Sequence, residues 1–236
     1  MKTIHGKLVY DSLDEILNPA HTALLAIDLQ NDFVSDDGPL ASAGIDISPI
    51  KELLPKCPGF IDEARALGVL IVHVRFTSLP HGLSDSPAIL HTNLRMFNTV
   101  DFCIEGTPGA EIVHECAPSE GDLVVTKHRS SAFVGTNLDQ LLRSNGIETL
   151  VIIGQQTPGC VEATFRDAVY YDYYNVLIED LVAAYRQDLH EASLLIQRAR
   201  HDVCSSTQVL DIWRNADDHH TAHINPRRRI RAADPA

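Results

Sequence analysis

Short apolar runs recur along the chain, each closed by a charged or turn-forming residue, with longer amphipathic stretches between them. Thr22 to Leu29 (TALLAIDL), Val69 to Val74 (VLIVHV), Asp122 to Lys127 (DLVVTK), Leu150 to Ile153 and Asn175 to Ile178 read as strands that are apolar on both faces. Ile47 to Leu67 has helical spacing, but Pro55 and Pro58 must bend or split it. Thr136 to Asn145 sets Leu138, Leu141 and Leu142 on one helix face, and Gly146 suits the end of that helix. Asp188 to Arg200 predicts a last long helix, and Gln208 to Ile212 a final strand. Strands that alternate with helices and are buried on both faces call for a parallel sheet covered on both sides. The expected fold is therefore α/β, a single-domain, Rossmann-like three-layer sandwich. Right-handed crossovers then bring the carboxyl ends of the strands to one edge.

The flanks differ from this core. Residues 1–21 are polar and read as a loop-like arm, residues 22–215 as the domain, and residues 216–236 as a tail. The tail holds His219, His220, His223 and the run Arg227-Arg228-Arg229, and is expected to be solvated or to pack on another subunit. Thr77 to Pro108, broken by Pro80, Gly82, Pro87 and Gly106, is expected to be irregular. A connection that long in a compact domain is usually a lid or binding loop. Arg75, His91 and Arg95 are its candidates for touching a ligand, with a plain solvated or structural role as the alternative.

Composition narrows the function. The 236 residues carry a net charge of −13, which argues against a nucleic-acid partner and an anionic membrane surface. The amino-terminal residues hold no apolar core of signal-peptide length, and no apolar run approaches the ~20 residues of a membrane span. A cytoplasmic protein is expected. Its five cysteines are widely spaced with no C-x-x-C, so reduced thiols fit better than disulfides or a zinc site.

The chemistry gathers around Thr149 to Ala168, TLVIIGQQTPGCVEATFRDA. An apolar strand ends at Gly154; Thr157 is placed to cap a helix and Pro158 to occupy its first position. Cys160 then falls in a first helical turn at the carboxyl edge of the sheet, where N–H groups and the helix dipole favour a thiolate. It is either a nucleophile or a small buried apolar residue. Asp28 and Lys127 each end a strand at the same edge. A carboxylate that takes a thiol proton, a lysine that holds the charges and a cysteine that attacks form a complete set for carbonyl chemistry. The alternative is that Asp28 and Lys127 form a structural ion pair.

Four segments resemble one known family: AIDLQNDF (Ala26 to Phe33), KHRSSAFVGTNLDQLL (Lys127 to Leu142), VIIGQQTPGCVEATFRDA (Val151 to Ala168) and EDLVAAYRQDLHEASL (Glu179 to Leu194). The chain is similar to the isochorismatase-like cysteine hydrolases, the group of nicotinamidases, N-carbamoylsarcosine amidases, ureidoacrylate hydrolases and biuret hydrolases. The resemblance implies an Asp28, Lys127, Cys160 triad and a cis bond between Gln155 and Gln156. It implies a cysteine hydrolase of a C–N bond in a small amide, carbamoyl or ureide compound, and a homo-oligomer. Gln156 and Gln155 become candidates for the oxyanion and substrate contacts, with bonding to the turn backbone as their alternative. Phe33 and Phe133 become candidate pocket walls, Asp32 also matches a motif, and Arg166-Asp167 matches one but reads as structural. No Asp-x-His follows the second strand, where IVHVRFTSLPHG offers only His73 and His81, so no metal or other cofactor is expected. Two rival readings remain at this point: an isochorismatase-type ether hydrolase, which the cysteine disfavours, and a non-catalytic binding member.

Overall fold

The computed structural model describes residues 1–220. A hairpin of β1 (Lys2–Ile4) and β2 (Lys7–Val9) leads into a short helix, α1 (Leu13–Ile16). The first central strand, β3 (Thr22–Ile27), follows; then come α2 (Pro39–Ser42), α3 (Ser48–Leu53) and α4 (Cys57–Ala66). Next are β4 (Leu70–Phe76), α5 (Pro87–Phe97), β5 (Leu123–Lys127) and α6 (Leu138–Ser144). The rest is β6 (Thr149–Gln155), α7 (Glu162–Tyr170), β7 (Tyr174–Ala183), α8 (Gln187–Arg198), β8 (Asp202–Cys204) and α9 (Ser206–His220).

Six of these strands form one parallel sheet in the order β5-β4-β3-β6-β7-β8. The two central strands, β3 and β6, are buried along their whole length, which is why their sequences are continuous apolar runs rather than alternating ones. One face of the sheet packs on α1, α4 and α9 through residues such as Leu17, Phe60, Ile61 and Trp213. The other packs on α6, α7 and α8 through Leu138, Leu142, Phe165 and Leu194. A third, smaller cluster of Phe33, Leu40, Phe76, Phe97 and Phe102 lies over the carboxyl edge of the sheet. The α/β three-layer expectation holds.

Several local expectations change. The hairpin is exposed, but Ile16 and Leu17 of the amino-terminal segment belong to the core: Leu17 is fully buried and its carbonyl accepts from the Trp213 indole N–H at 2.8 Å. The expected bent helix at 47–67 is two helices with a tight turn at Leu54–Lys56, as Pro55 requires. Gln208 to Ile212 is helix, not strand. Val209 and Trp213 are four apart and both buried, a helical period, and the last strand is instead β8. Thr77 to Pro108 is not irregular throughout: it contains α5, capped by Ser86, opened by Pro87 and closed by Asn98 in the left-handed region. His223 and Arg227 to Arg229 lie outside the described residues.

Candidate active site

Three strands deliver the chemistry to one edge. Asp28 directly follows β3, Lys127 is the last residue of β5, and Cys160 follows β6 after one turn. Asp28 has φ 54°, in the left-handed region, and its N–H donates to the Val74 carbonyl at 2.8 Å. The neighbouring Gly154 has φ +114°, and a Cβ there would collide with the Ile27 backbone, so only glycine lets β6 approach β3 this closely beneath the site. Gln30 ties the same edge together. Its amide donates to the Phe76 and Ala110 carbonyls, both at 2.7 Å, and accepts from the Phe76 N–H at 2.8 Å.

Lys127 Nζ donates to Asp28 Oδ2 at 2.9 Å, and both side chains are almost completely buried. Asp28 Oδ1 has no hydrogen-bond partner among the described residues. The Cys160 thiol lies within electrostatic and hydrogen-bonding reach of both groups. Burial raises the Asp28 pKa, outweighing the lowering by Lys127 and Cys160. Burial lowers that of Lys127, but Asp28 and Cys160 outweigh it, so the ammonium is held. Burial and the Asp28 charge together push the Cys160 thiol up to about 12, against the pull of Lys127. The expected lowering of the thiol at a helix start is opposed here by burial and Asp28, and the carboxylate beside it keeps an oxygen without a partner among the described residues.

The turn carrying Cys160 also departs from the expected cap. Thr157–Val161 forms one wide π-type turn, with Gly159 at φ −113°, ψ −107°, before α7 begins at Glu162. The Gln156 carbonyl accepts from the N–H groups of Gly159 and Val161 at 2.9 and 3.2 Å. Thr157 caps nothing, because its hydroxyl is taken by His190 Nδ1 at 2.8 Å. The Gln155–Gln156 peptide bond is cis. Gln155 donates to the Asp28 carbonyl at 2.9 Å, so it steadies the loop bearing the carboxylate, while its Oε1 is buried without a partner.

These residues open onto a small pocket. Asp28, Cys160, Gly159, Gln155 and Gln156 form its floor. Phe33, Phe76 and Phe102 wall one side, and α5 roofs it with Ile89, Thr92, Asn93, Met96 and Phe97. Of the two candidate walls, Phe33 lines this pocket. Phe133 does not: it lies in the core between the sheet and its helices, stacked on Tyr171 with ring centroids 4.8 Å apart. The α5 residues and Phe102 were missed by sequence reasoning; the Ser86-Pro87 start and Asn98 stop could have revealed their helix.

The other candidates are occupied elsewhere. Arg75 donates to Thr126 and Glu111, and His91 and Arg95 sit on α5 outside the pocket lining. Asp32 accepts from the Cys103 N–H at 2.6 Å, and Arg166 pairs with Glu162. His73 is buried and bonded to Asp122 at 3.1 Å, while His81 is exposed on a turn. Among the described residues no cluster of three or more His, Cys, Asp or Glu side chains is arranged to hold a metal.

Residues 22–209 match the family model described as the isochorismatase domain. The chain belongs to the isochorismatase family. It is 34% identical over 174 residues to the ureidoacrylate amidohydrolase RutB of Agrobacterium fabrum, a match covering 70% of this chain and 76% of that one. An isochorismatase family protein from Desulfovibrio vulgaris superimposes with a TM-score of 0.71 at 32% identity, over 82% of this chain and 98% of that one. N-carbamoylsarcosine amidase from Thermoplasma acidophilum does so with a TM-score of 0.60 at 32% identity, over 78% and 96%.

Proposed function

We propose that Cys160, Asp28 and Lys127 form the catalytic unit of a small-molecule amidohydrolase, an enzyme that cleaves the C–N bond of an amide or ureide. The observation that carries this reading is the free Oδ1 of Asp28 beside the Cys160 thiol, in a pocket large enough only for a small ligand. A carboxylate whose pKa is raised is a better base, and an unpartnered oxygen is free to accept a proton. The family relationship and the amidase names among its relatives support the same chemistry.

Asp28 takes the thiol proton as Sγ attacks the substrate carbonyl, so the thiolate exists only as it reacts. Lys127 stays protonated and holds the charge of the Asp28–Cys160 pair. The N–H groups of Gln156 and Cys160, on the pocket floor, receive the oxyanion. The C–N bond breaks, the proton on Asp28 passes to the departing nitrogen, and ammonia or an amine leaves a thioester. Water, losing its proton to Asp28, releases the acid and restores the thiol. No step calls on a cofactor. The five cysteines are all free, in keeping with a reducing cytoplasm, and no helix among the described residues is long and apolar enough to cross a membrane. Exposed Val169, Tyr170, Leu195 and Ile196 support assembly as a dimer or tetramer.

The test is ammonia release from a panel of small amides and ureides, with biuret among them. Turnover by the wild type and none by Cys160→Ala supports the reading. No release from any member, with the protein folded, removes it.

A further inference from the structure

The pocket has one unusual group besides the Asp28–Cys160 floor. Asn93, on the roof helix α5, is only 9% exposed, and its Nδ2 has no hydrogen-bond partner. A buried amide donor left unpaired is costly unless a ligand completes it. Gln155 Oε1 is a second buried orphan at the same cavity, this one an acceptor. Donor on the roof and acceptor on the floor match a group that itself carries both a carbonyl and an N–H.

Charge is the second observation. Among the described residues lining this cavity the one formal charge is Asp28, already matched by Lys127. Arg75 and Arg129, which flank this edge of the sheet, are engaged by Thr126 and Glu111 and by the Ser84 and His128 carbonyls. A substrate carboxylate entering here would leave water and meet no free cation on the walls. Phe97, Met96 and Ile89 offer it apolar surface instead.

Resting on the amidohydrolase reading, we infer that this chain takes an uncharged amide or ureide, recognised by Asn93 and Gln155, and discriminates against ureido acids and other carboxylate-bearing substrates. This separates it from what the word ureidoacrylate says of its relatives.

The experiment uses matched pairs: pentanamide against glutaramate, and butylurea against the ureido acid of the same chain length. Turnover is read as ammonia release, and binding is read separately by calorimetry on Cys160→Ala. The neutral member of each pair is expected to be favoured by at least about a hundredfold in kcat/KM. Asn93→Leu is expected to raise KM for the neutral member about tenfold with a smaller change in kcat, as for a lost binding contact. Thr92→Arg, which adds a cation to the roof, should narrow the preference by about tenfold. Turnover that favours the anion, or a preference unmoved by Thr92→Arg, overturns the inference and leaves the hydrolase reading standing. Tighter binding of the neutral member with no turnover of any compound supports the inference and removes the hydrolase reading.

Discussion

At the amino end of β5, Asp122 has every oxygen occupied. Its Oδ2 accepts from Arg65 Nη2 at 2.7 Å, the Ser119 N–H at 2.9 Å and His73 Nε2 at 3.1 Å, and its Oδ1 accepts from Arg65 Nε at 3.1 Å. At the carboxyl end of the same strand, Lys127 meets Asp28 through a single bond, and the second oxygen of that carboxylate has none. Burial pushes both carboxyls up. At Asp122 the arginine, the N–H and the histidine outweigh it, so the pKa ends below the usual range; at Asp28 burial wins and the pKa ends above it. Two buried acid–cation pairs on one strand thus differ in saturation. The saturated one has nothing left to give a substrate, and its worth is structural. The unsaturated one keeps an acceptor open at the cost of stability.

The largest test of that contrast is activity. Cys160→Ala and Asp28→Asn are each expected to lower kcat by at least roughly a thousandfold with near-native circular dichroism, as when one member of a catalytic unit is removed. A variant that keeps a tenth of the wild-type rate would show that the carboxyl end of β5 is no more chemical than the amino end.

The second test reverses the roles. Asp122→Ala is expected to destabilise the protein by about 3 kcal/mol, because it leaves Arg65 and His73 without their shared partner. Below its unfolding transition it should keep kcat within roughly threefold, since nothing in the cluster touches the pocket. Urea denaturation and steady-state kinetics on the same preparation give both readings. A large kcat loss in folded protein would break the division between the two ends.

How much of this was legible in the sequence follows from the same physics. Asp28 and Lys127 stood out because a charge closing an otherwise apolar strand is expensive, and the strand ends of a parallel sheet share one edge. Cys160 stood out because a strand, a turn and a helix begin around it. Asn93 could not be read, since its significance depends on an orphaned donor that exists only once α5 folds over the sheet. Phe133 misled because a neighbour of Lys127 in the motif lies in the turn before α6, where its ring packs into the core against Tyr171. Gln208 to Ile212 misled because five residues are too few to separate a period of 2 from one of 3.6. In the sequence Asp122 only opens the DLVVTK strand, and only tertiary contact with Arg65 and His73 makes it a hub.

The third test is pH. A carboxyl held low in the folded state contributes stability above its unfolded pKa, near 4, and loses it as pH falls through the lower folded value. The stability gap between wild type and Asp122→Asn should therefore be full at pH 7 and close as pH falls below about 4. Asp28 has the opposite sign. Its contribution is present below about pH 4 and is lost as pH rises through its raised folded value, so the gap to Asp28→Asn should move against the wild type toward neutrality. Parallel slopes from urea melts across this range would collapse the distinction. The Cys160 thiol, held at about 12, supplies a companion reading: its alkylation by iodoacetamide should keep rising with pH through pH 9 without a plateau. A plateau near neutrality would mean a preformed thiolate. The buried Cys57, Cys103, Cys116 and Cys204 should label more slowly than the half-buried Cys160 at every pH.

The smallest expected effect sharpens the comparison most, because it concerns the one residue that could belong to either end. His73 sits within β4, paired in register between β3 and β5, and comes from the segment where a metal ligand would be sought. Burial lowers its pKa, against the opposing pull of Asp122, so it stays neutral and shares Asp122 with Arg65. That makes it a buttress of the saturated cluster. His73→Gln, which keeps an amide donor near the Asp122 oxygen, should cost about 1 kcal/mol of stability and leave kcat within roughly twofold. Exhaustive dialysis of the wild type against a chelator should leave the rate unchanged, and added zinc or manganese should not raise it. If chelation abolished the rate, a metal restored it, and His73→Gln removed that restoration, His73 would be a ligand. The amino end of β5 would then be part of the reaction, and saturation of a buried carboxylate would no longer tell structure from chemistry in this fold.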